Sequence, residues 1–216
     1  MHKRPVKLIL FFLLKCTLLY ALFVSPLPGV GDAYRRCFRA VGNAVFYTAG
    51  STGLVQFEAL ERGPEGKDTR VVLENRRDRY KGALEIRSLY YGYRPTVFLV
   101  ALILATPISW SRRGRALLWG LLWINAFVLL RVWLRITDAF CDPKMLGLYN
   151  LSELWRSLLH GVMLVISRAP ATAYFAPLLV WGLVTFRRDD WAAIQAGQTL
   201  GSVIESPDAK RKSEKS

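Results

Sequence analysis

Long apolar runs alternate along this chain with short basic, glycine-rich or proline-rich segments, and that alternation sets the first expectation. Behind a basic start at Lys3 and Arg4, residues 6–24 are almost continuously apolar. A helix over those nineteen residues rises about 28 Å, enough to cross a hydrocarbon core. A cleaved signal peptide is the competing reading, with Gly31-Asp32-Ala33 as its small-residue site. The length of the run, with Lys15 inside it, favours an uncleaved anchor. Three further apolar blocks, at 96–110, 116–136 and 170–186, have span-like composition. The basic Ser111-Arg112-Arg113-Gly114-Arg115 separates the first two as a tight loop.

Between the first and second runs the periodicity changes twice. Pro26, Pro28 and Gly29 end the first helix, since proline lacks a donor and glycine tolerates a break. Tyr34, Cys37, Phe38, Val41 and Val45 then recur at spacings of three and four. This predicts an amphipathic helix over 32–48, with Asp32 as its N-cap, lying on the outer membrane surface. Within 54–91 the texture becomes extended. Val55, Phe57 and Ala59 alternate with Gln56 and Glu58, Val71-Val72-Leu73 resumes after Gly63-Pro64-Glu65-Gly66, and Leu84, Ile86 and Leu89 to Tyr91 supply a third strand. Residues 151–167 carry an apolar stripe through Leu151, Trp155, Leu158, Leu159, Val162 and Ile166, which reads as an interfacial amphipathic helix rather than a span.

The fold class that follows is an α-helical membrane protein with four transmembrane helices, a small β-rich extracytoplasmic loop domain and an interfacial amphipathic helix. Its parts are a cytoplasmic N-terminus and first span (1–24), an extracytoplasmic loop (25–94), second and third spans joined by the basic loop 111–115 (95–136), a second outer loop (137–169), a fourth span (170–186) and a cytoplasmic tail disordered at its end (187–216). Lys3, Arg4, Lys7, the 111–115 loop and Arg187-Arg188 then share one side. The positive-inside rule makes that side the cytoplasm and places both termini there, in a cell inner membrane.

Charge changes the picture less than it first suggests. A net charge of +14 on 216 residues resembles a nucleic-acid binder, but membrane proteins collect Lys and Arg beside their spans. No nucleic-acid-binding signature is present, so the lipid bilayer is the expected partner and nucleic acid is not. Three scattered cysteines and two distant histidines give neither a metal site nor a cofactor site.

The polar residues within the apolar runs carry the candidate chemistry. Lys15, mid-span, is expected to face the helix bundle with Asn125 as its partner. Arg131 and Arg135 share a face four residues apart and suit a lipid phosphate or a substrate carboxylate; snorkelling to the headgroups, with Asp138 paired to Arg135, is the plainer reading. Cys37 and Cys141 both fall outside in this topology, where a disulfide between them is possible. Alternatively Cys141, Arg156 and His160 are the residue types of a thiol transpeptidase or protease-like enzyme. No phosphate-binding loop, zinc-protease motif or nucleophile elbow occurs.

The stretch Leu89-Tyr90-Tyr91-Gly92-Tyr93-Arg94-Pro95, running into Ala101-Leu102-Ile103-Leu104-Ala105-Thr106-Pro107, resembles the small membrane proteins encoded beside exosortases, the bacterial enzymes that sort proteins bearing C-terminal tripartite signals. The likeness covers the first half of the chain, with Arg94 standing where that family carries Gly. The resemblance implies a non-enzymatic accessory protein that supports a membrane enzyme or protein-sorting system, with an exosortase-like partner. The residues leave open two alternatives, the thiol enzyme above and a small transporter or lipid-binding protein centred on Lys15 and Asn125.

Overall fold

The computed structural model describes residues 3–24, 29–49, 53–61, 66–76, 80–142, 152–163, 166 and 172–185. Helices α1 (Lys3–Val24) and α2 (Val30–Phe46) lead into four strands, β1 (Thr48–Ala49), β2 (Gly53–Ala59), β3 (Thr69–Asn75) and β4 (Tyr80–Ile86). One π-helical turn (Leu89–Tyr93) then opens α3 (Arg94–Ala105), followed by α4 (Trp110–Cys141), α5 (Glu153–Met163) and α6 (Thr172–Thr185).

The strands form one antiparallel meander in the order β1-β2-β3-β4, with Phe57 opposite Val71 and Val71 opposite Leu84. Alternation decides what each face meets. Val55, Phe57, Val71, Leu73 and Ile86 point inward and are buried. The outer face carries Gln56, Glu58, Arg70, Lys81 and Glu85, with ion pairs Lys67–Glu85 at 3.3 Å and Lys81–Glu74 at 3.4 Å. The third strand differs from expectation: β4 ends at Ile86, and Leu89 to Tyr91 are helical.

The amphipathic helix exists, and part of its apolar face is taken up by the sheet. Phe38 and Phe46 of α2 join Val132, Ile136, Ala139 and Phe140 of α4 in covering the inner sheet face. A sheet buries its apolar side against whatever apolar stripe the chain supplies, so α2 caps the sheet core with Phe38 and Phe46, while Cys37, Val41 and Val45 of the expected stripe stay exposed. Asp32 is not its N-cap: Gly29 is, and Asp32 in the first turn accepts from Arg35 at 2.6 Å. There its carboxylate faces the positive end of the helix.

The expectation of four spans is overturned. Among the described residues only α4 is long and apolar enough to cross a membrane; the stretches at Ile9–Val24, Leu89–Ala105 and Tyr174–Thr185 are shorter. The expected second span fails first. Thr106 precedes Pro107 and takes an extended conformation with ψ 131°, as a residue before proline tends to, which closes α3 at Ala105. Twelve residues rise only about 18 Å. The expected basic loop fails with it, because Ser111 to Arg115 form the opening of α4. Arg113 reaches back to the carbonyls of Thr106 and Ile108 at 3.2 and 3.3 Å, serving the end of α3 rather than a connection. Of the expected interfacial helix 151–167, Glu153–Met163 is helical and lies against α4.

Short and largely buried, α3 is the hub of the helical half and contacts α1, α4 and α6. Leu99 and Ile103 pack with Ile124 and Ala176, while Ala101, Leu102 and Ala105 meet Cys16 of α1. The opposite faces of α1, α4 and α6 expose Phe11, Leu14, Leu18, Leu122, Trp123, Leu179 and Leu183.

Candidate functional site

The π-helical turn is where the sheet layer and the helical half meet, and its residues reach four helices. Gly92 is buried, and a Cβ there would meet the Tyr34 hydroxyl of α2 and approach Val128 of α4 at 3.4 Å. Only glycine lets the three elements come this close. The Tyr93 hydroxyl donates to the carbonyl of Phe23 at 2.7 Å, tying down the end of α1. Thr96 donates to the Gly92 carbonyl at 2.8 Å at the start of α3.

The Tyr91 ring brings in the two arginines of α4. The Arg131 guanidinium lies 4.7 Å from the ring centroid, and Arg135 Nε donates to the Tyr91 hydroxyl at 3.3 Å. Arg131 is 1% exposed, and its Nε and Nη1 have no hydrogen-bond partner among the described residues. A cation held by a ring face is stabilised by the ring quadrupole, yet its remaining N–H groups stay desolvated at a cost. The pair does not snorkel outward, and Arg135 turns to Tyr91 rather than Asp138.

Two polar residues outside the expected set organise this junction. Asp68 Oδ1 accepts from Thr69 Oγ1 at 2.9 Å and from the Ser88 amide at 3.0 Å, while its Oδ2 lies 3.5 Å from Arg35 Nε. Asn43 of α2 accepts from the Phe57 amide at 2.6 Å and donates to the Phe57 carbonyl at 3.1 Å. Because β1 pairs only Leu54 and Gly53 of β2, this side-chain amide supplies the strand partner that Phe57 otherwise lacks on that edge. In the sequence Asn43 looks like one more polar residue on a helix, and nothing local marks its role.

An apolar cavity of about 220 Å³ lies between α2, Phe57 and α4, lined in part by Phe38, Val41, Phe46, Val132 and Asn125. Tyr34 and Cys37 lie along the same wall. Burial, reinforced by nearby Cys37 and Asp68, pushes the Tyr34 phenol well above the ordinary tyrosine range.

The remaining candidates disperse. Lys15 is exposed on α1, and Asn125 donates to its own helix at the Leu121 carbonyl, 2.7 Å away. The expected pairing of the two is not made. Cys37 is exposed and Cys141 buried, and both are thiols, so the disulfide considered between them is also not made. Burial at 5% exposure does not suit Cys141 as an accessible nucleophile. The side chains of Arg156 and His160 fall outside the described residues.

Comparison with known proteins adds no identity, since no family model matches the chain and no curated protein or solved structure is significantly similar to it.

Proposed function

We propose that this protein is a non-enzymatic accessory protein of a bacterial inner membrane, seated by α4 and holding a membrane enzyme or protein-sorting partner through its sheet layer. The observation that carries the reading is the contrast between its two halves. The sheet layer has a closed apolar core and a charged outer face. Only 33% of the most apolar stretch of α4 is buried, where the core helix of a soluble protein would be mostly covered. Outward leucines, phenylalanines and tryptophans at this density suit lipid.

Orientation follows from charge. Arg112, Arg113 and Arg115 open α4 and belong at the cytoplasmic face by the positive-inside rule. The sheet layer, packed on the far end of α4, then faces the opposite compartment. There, among the described residues, β4 pairs only with β3, leaving one strand edge for a partner. The resemblance of Leu89 to Pro107 to exosortase-associated proteins makes an exosortase-like enzyme the first partner to test.

The test places a photo-crosslinking amino acid at Ala83 on the exposed outer face of β4, in native membranes. The expected result is a discrete heavier adduct from Ala83, with the protein resisting alkaline carbonate extraction. Retention in the membrane without any adduct refutes the partner role, and extraction by carbonate refutes the membrane seat. Cys37, exposed in the sheet layer, should label with an impermeant maleimide added to intact cells. Labelling only after lysis reverses the orientation.

A further inference from the structure

The apolar cavity of about 220 Å³ between α2 and α4 is not a sealed void. Three of the residues along it, Cys37, Val41 and Asn125, are exposed, so the space opens outward between the two helices. Among the described residues its lining is apolar apart from the Tyr34 hydroxyl, the Cys37 thiol and the Asn125 amide. That amide is already turned to the Leu121 carbonyl at 2.7 Å. Water finds few partners in such a space, and hydrocarbon is the better occupant: an apolar cavity of ~150 Å³ in another protein stays dry and takes up benzene. Left empty, the facing walls forfeit dispersion contacts.

What lies outside the opening identifies the hydrocarbon. Leu118, Leu121 and Leu122 precede Asn125 by seven, four and three residues, so they share its face of α4. All three are exposed and form an apolar track that leads to the cavity from the Trp110 end of the helix. Leu129 and Val132 continue the same face into the cavity wall. Across the opening Val45, one turn beyond Val41 on α2, is exposed and extends the apolar rim. From Trp110 the helix rises about 22 Å to Asn125 and about 33 Å to Val132. With Arg112, Arg113 and Arg115 on the inner face, the cavity straddles the outer boundary of a hydrocarbon core about 30 Å thick.

We propose that this cavity binds one acyl chain of a membrane phospholipid, holding the methylenes next to the glycerol while the rest of the chain runs along Leu122, Leu121 and Leu118. The headgroup then sits at the outer surface, outside the cavity, so the site reads the chain and not the head. The site rests on the membrane-seated reading of α4 and needs no protein partner.

The full chain is reconstituted in phosphatidylcholine nanodiscs, with a diazirine on one acyl chain of the lipid, either near its carbonyl or at its methyl end. After irradiation the adducts are mapped by mass spectrometry. The near-carbonyl probe should mark Val41 and residues 128–132, and the methyl-end probe residues 118–122. Val41→Trp fills the exposed rim. It should lower the near-carbonyl adduct at 128–132 roughly tenfold, the loss expected when about two methylenes leave an apolar site. Cys37→Trp, on the same rim, should repeat the effect.

Adducts at 118–122 with none at 128–132 overturn the proposal and leave the membrane seat intact. An adduct at 128–132 that neither tryptophan variant lowers does the same. No adduct anywhere on α4 refutes the seat and the site together. Marking of 128–132 by a free fatty acid carrying the diazirine, and not by the phosphatidylcholine, overturns the phospholipid assignment.

Discussion

Asn43 is the residue on which one helix and one strand edge depend, and its removal has a calculable effect. Its amide makes two hydrogen bonds to the backbone of a single residue, Phe57, whose side chain is 4% exposed. Each bond contributes about 1 kcal/mol, and a backbone group left without a partner costs about 1–3 kcal/mol more. Replacing Asn by Ala within a helix returns up to roughly 0.7 kcal/mol in propensity. The balance for Asn43→Ala is a loss of about 2–4 kcal/mol, or roughly 5–15 °C in melting temperature for a chain of this size. Hydrogen exchange in detergent micelles reads the effect locally: the Phe57 amide should exchange roughly 30-fold faster. Asn43→Asp keeps the acceptor but sets a carboxylate against the Phe57 carbonyl, so it should be equally unstable at neutral pH. Acid should restore part of the loss, because a protonated carboxyl donates again. Unchanged protection of the Phe57 amide in Asn43→Ala, with the melting temperature unmoved, would refute the account.

Other expectations follow from the same junction. Gly92→Ala should destabilise the fold by about 1–3 kcal/mol through overpacking, and Tyr34→Phe, which removes the oxygen a Cβ meets first, should rescue it in part; a double variant no better than Gly92→Ala alone contradicts the contact. Because its phenol is raised on folding, Tyr34 stabilises the protein below the ordinary tyrosine value of about 10 and loses that contribution as pH rises above it. Alkaline denaturation titrations should therefore show a shallower decline for Tyr34→Phe, and identical slopes refute the burial. Arg131→Met keeps most of the volume and removes the idle N–H groups, so the unfolding free energy from denaturant titration should be unchanged or higher, by up to about 1–4 kcal/mol. A marked loss would mean that the guanidinium has a partner beyond Tyr91.

The local periodicities in this sequence were readable, but the partners of each face were not. Val55 and Phe57 alternate as a half-buried strand should, and Phe38 and Val41 follow helical spacing, so β2 and α2 are both visible as elements. What α2 covers depends on Phe38 and Phe46 meeting Phe57 and on Gly42, where a Cβ would lie 2.8 Å from that ring. Those contacts arise across the fold and leave no local mark. The span count failed for a more general reason. Hydropathy registers how apolar a run is, while Thr106 and Pro107 determine where its helix stops. Arg112 to Arg115 look like a loop because loops collect basic residues, yet with no proline among them and Gly114 tolerated within a helix, they continue as helix. Of the polar candidates, Arg131 and Arg135 do converge on Tyr91. Lys15 and Asn125 do not, because residue depth along two helices says nothing of which faces meet.

The unbroken course of α4 ties together places that separate elements would have kept independent. Its thirty-two residues contain no proline and rise about 48 Å. One end carries Arg112 and Arg115, and the other supplies Val132, Ile136 and Phe140 to the back of the sheet. A rod without a joint transmits movement instead of absorbing it. If α4 sits in a bilayer as proposed, any shift or roll of it displaces the floor on which the strands rest, and the surface proposed for a partner would register the state of the membrane.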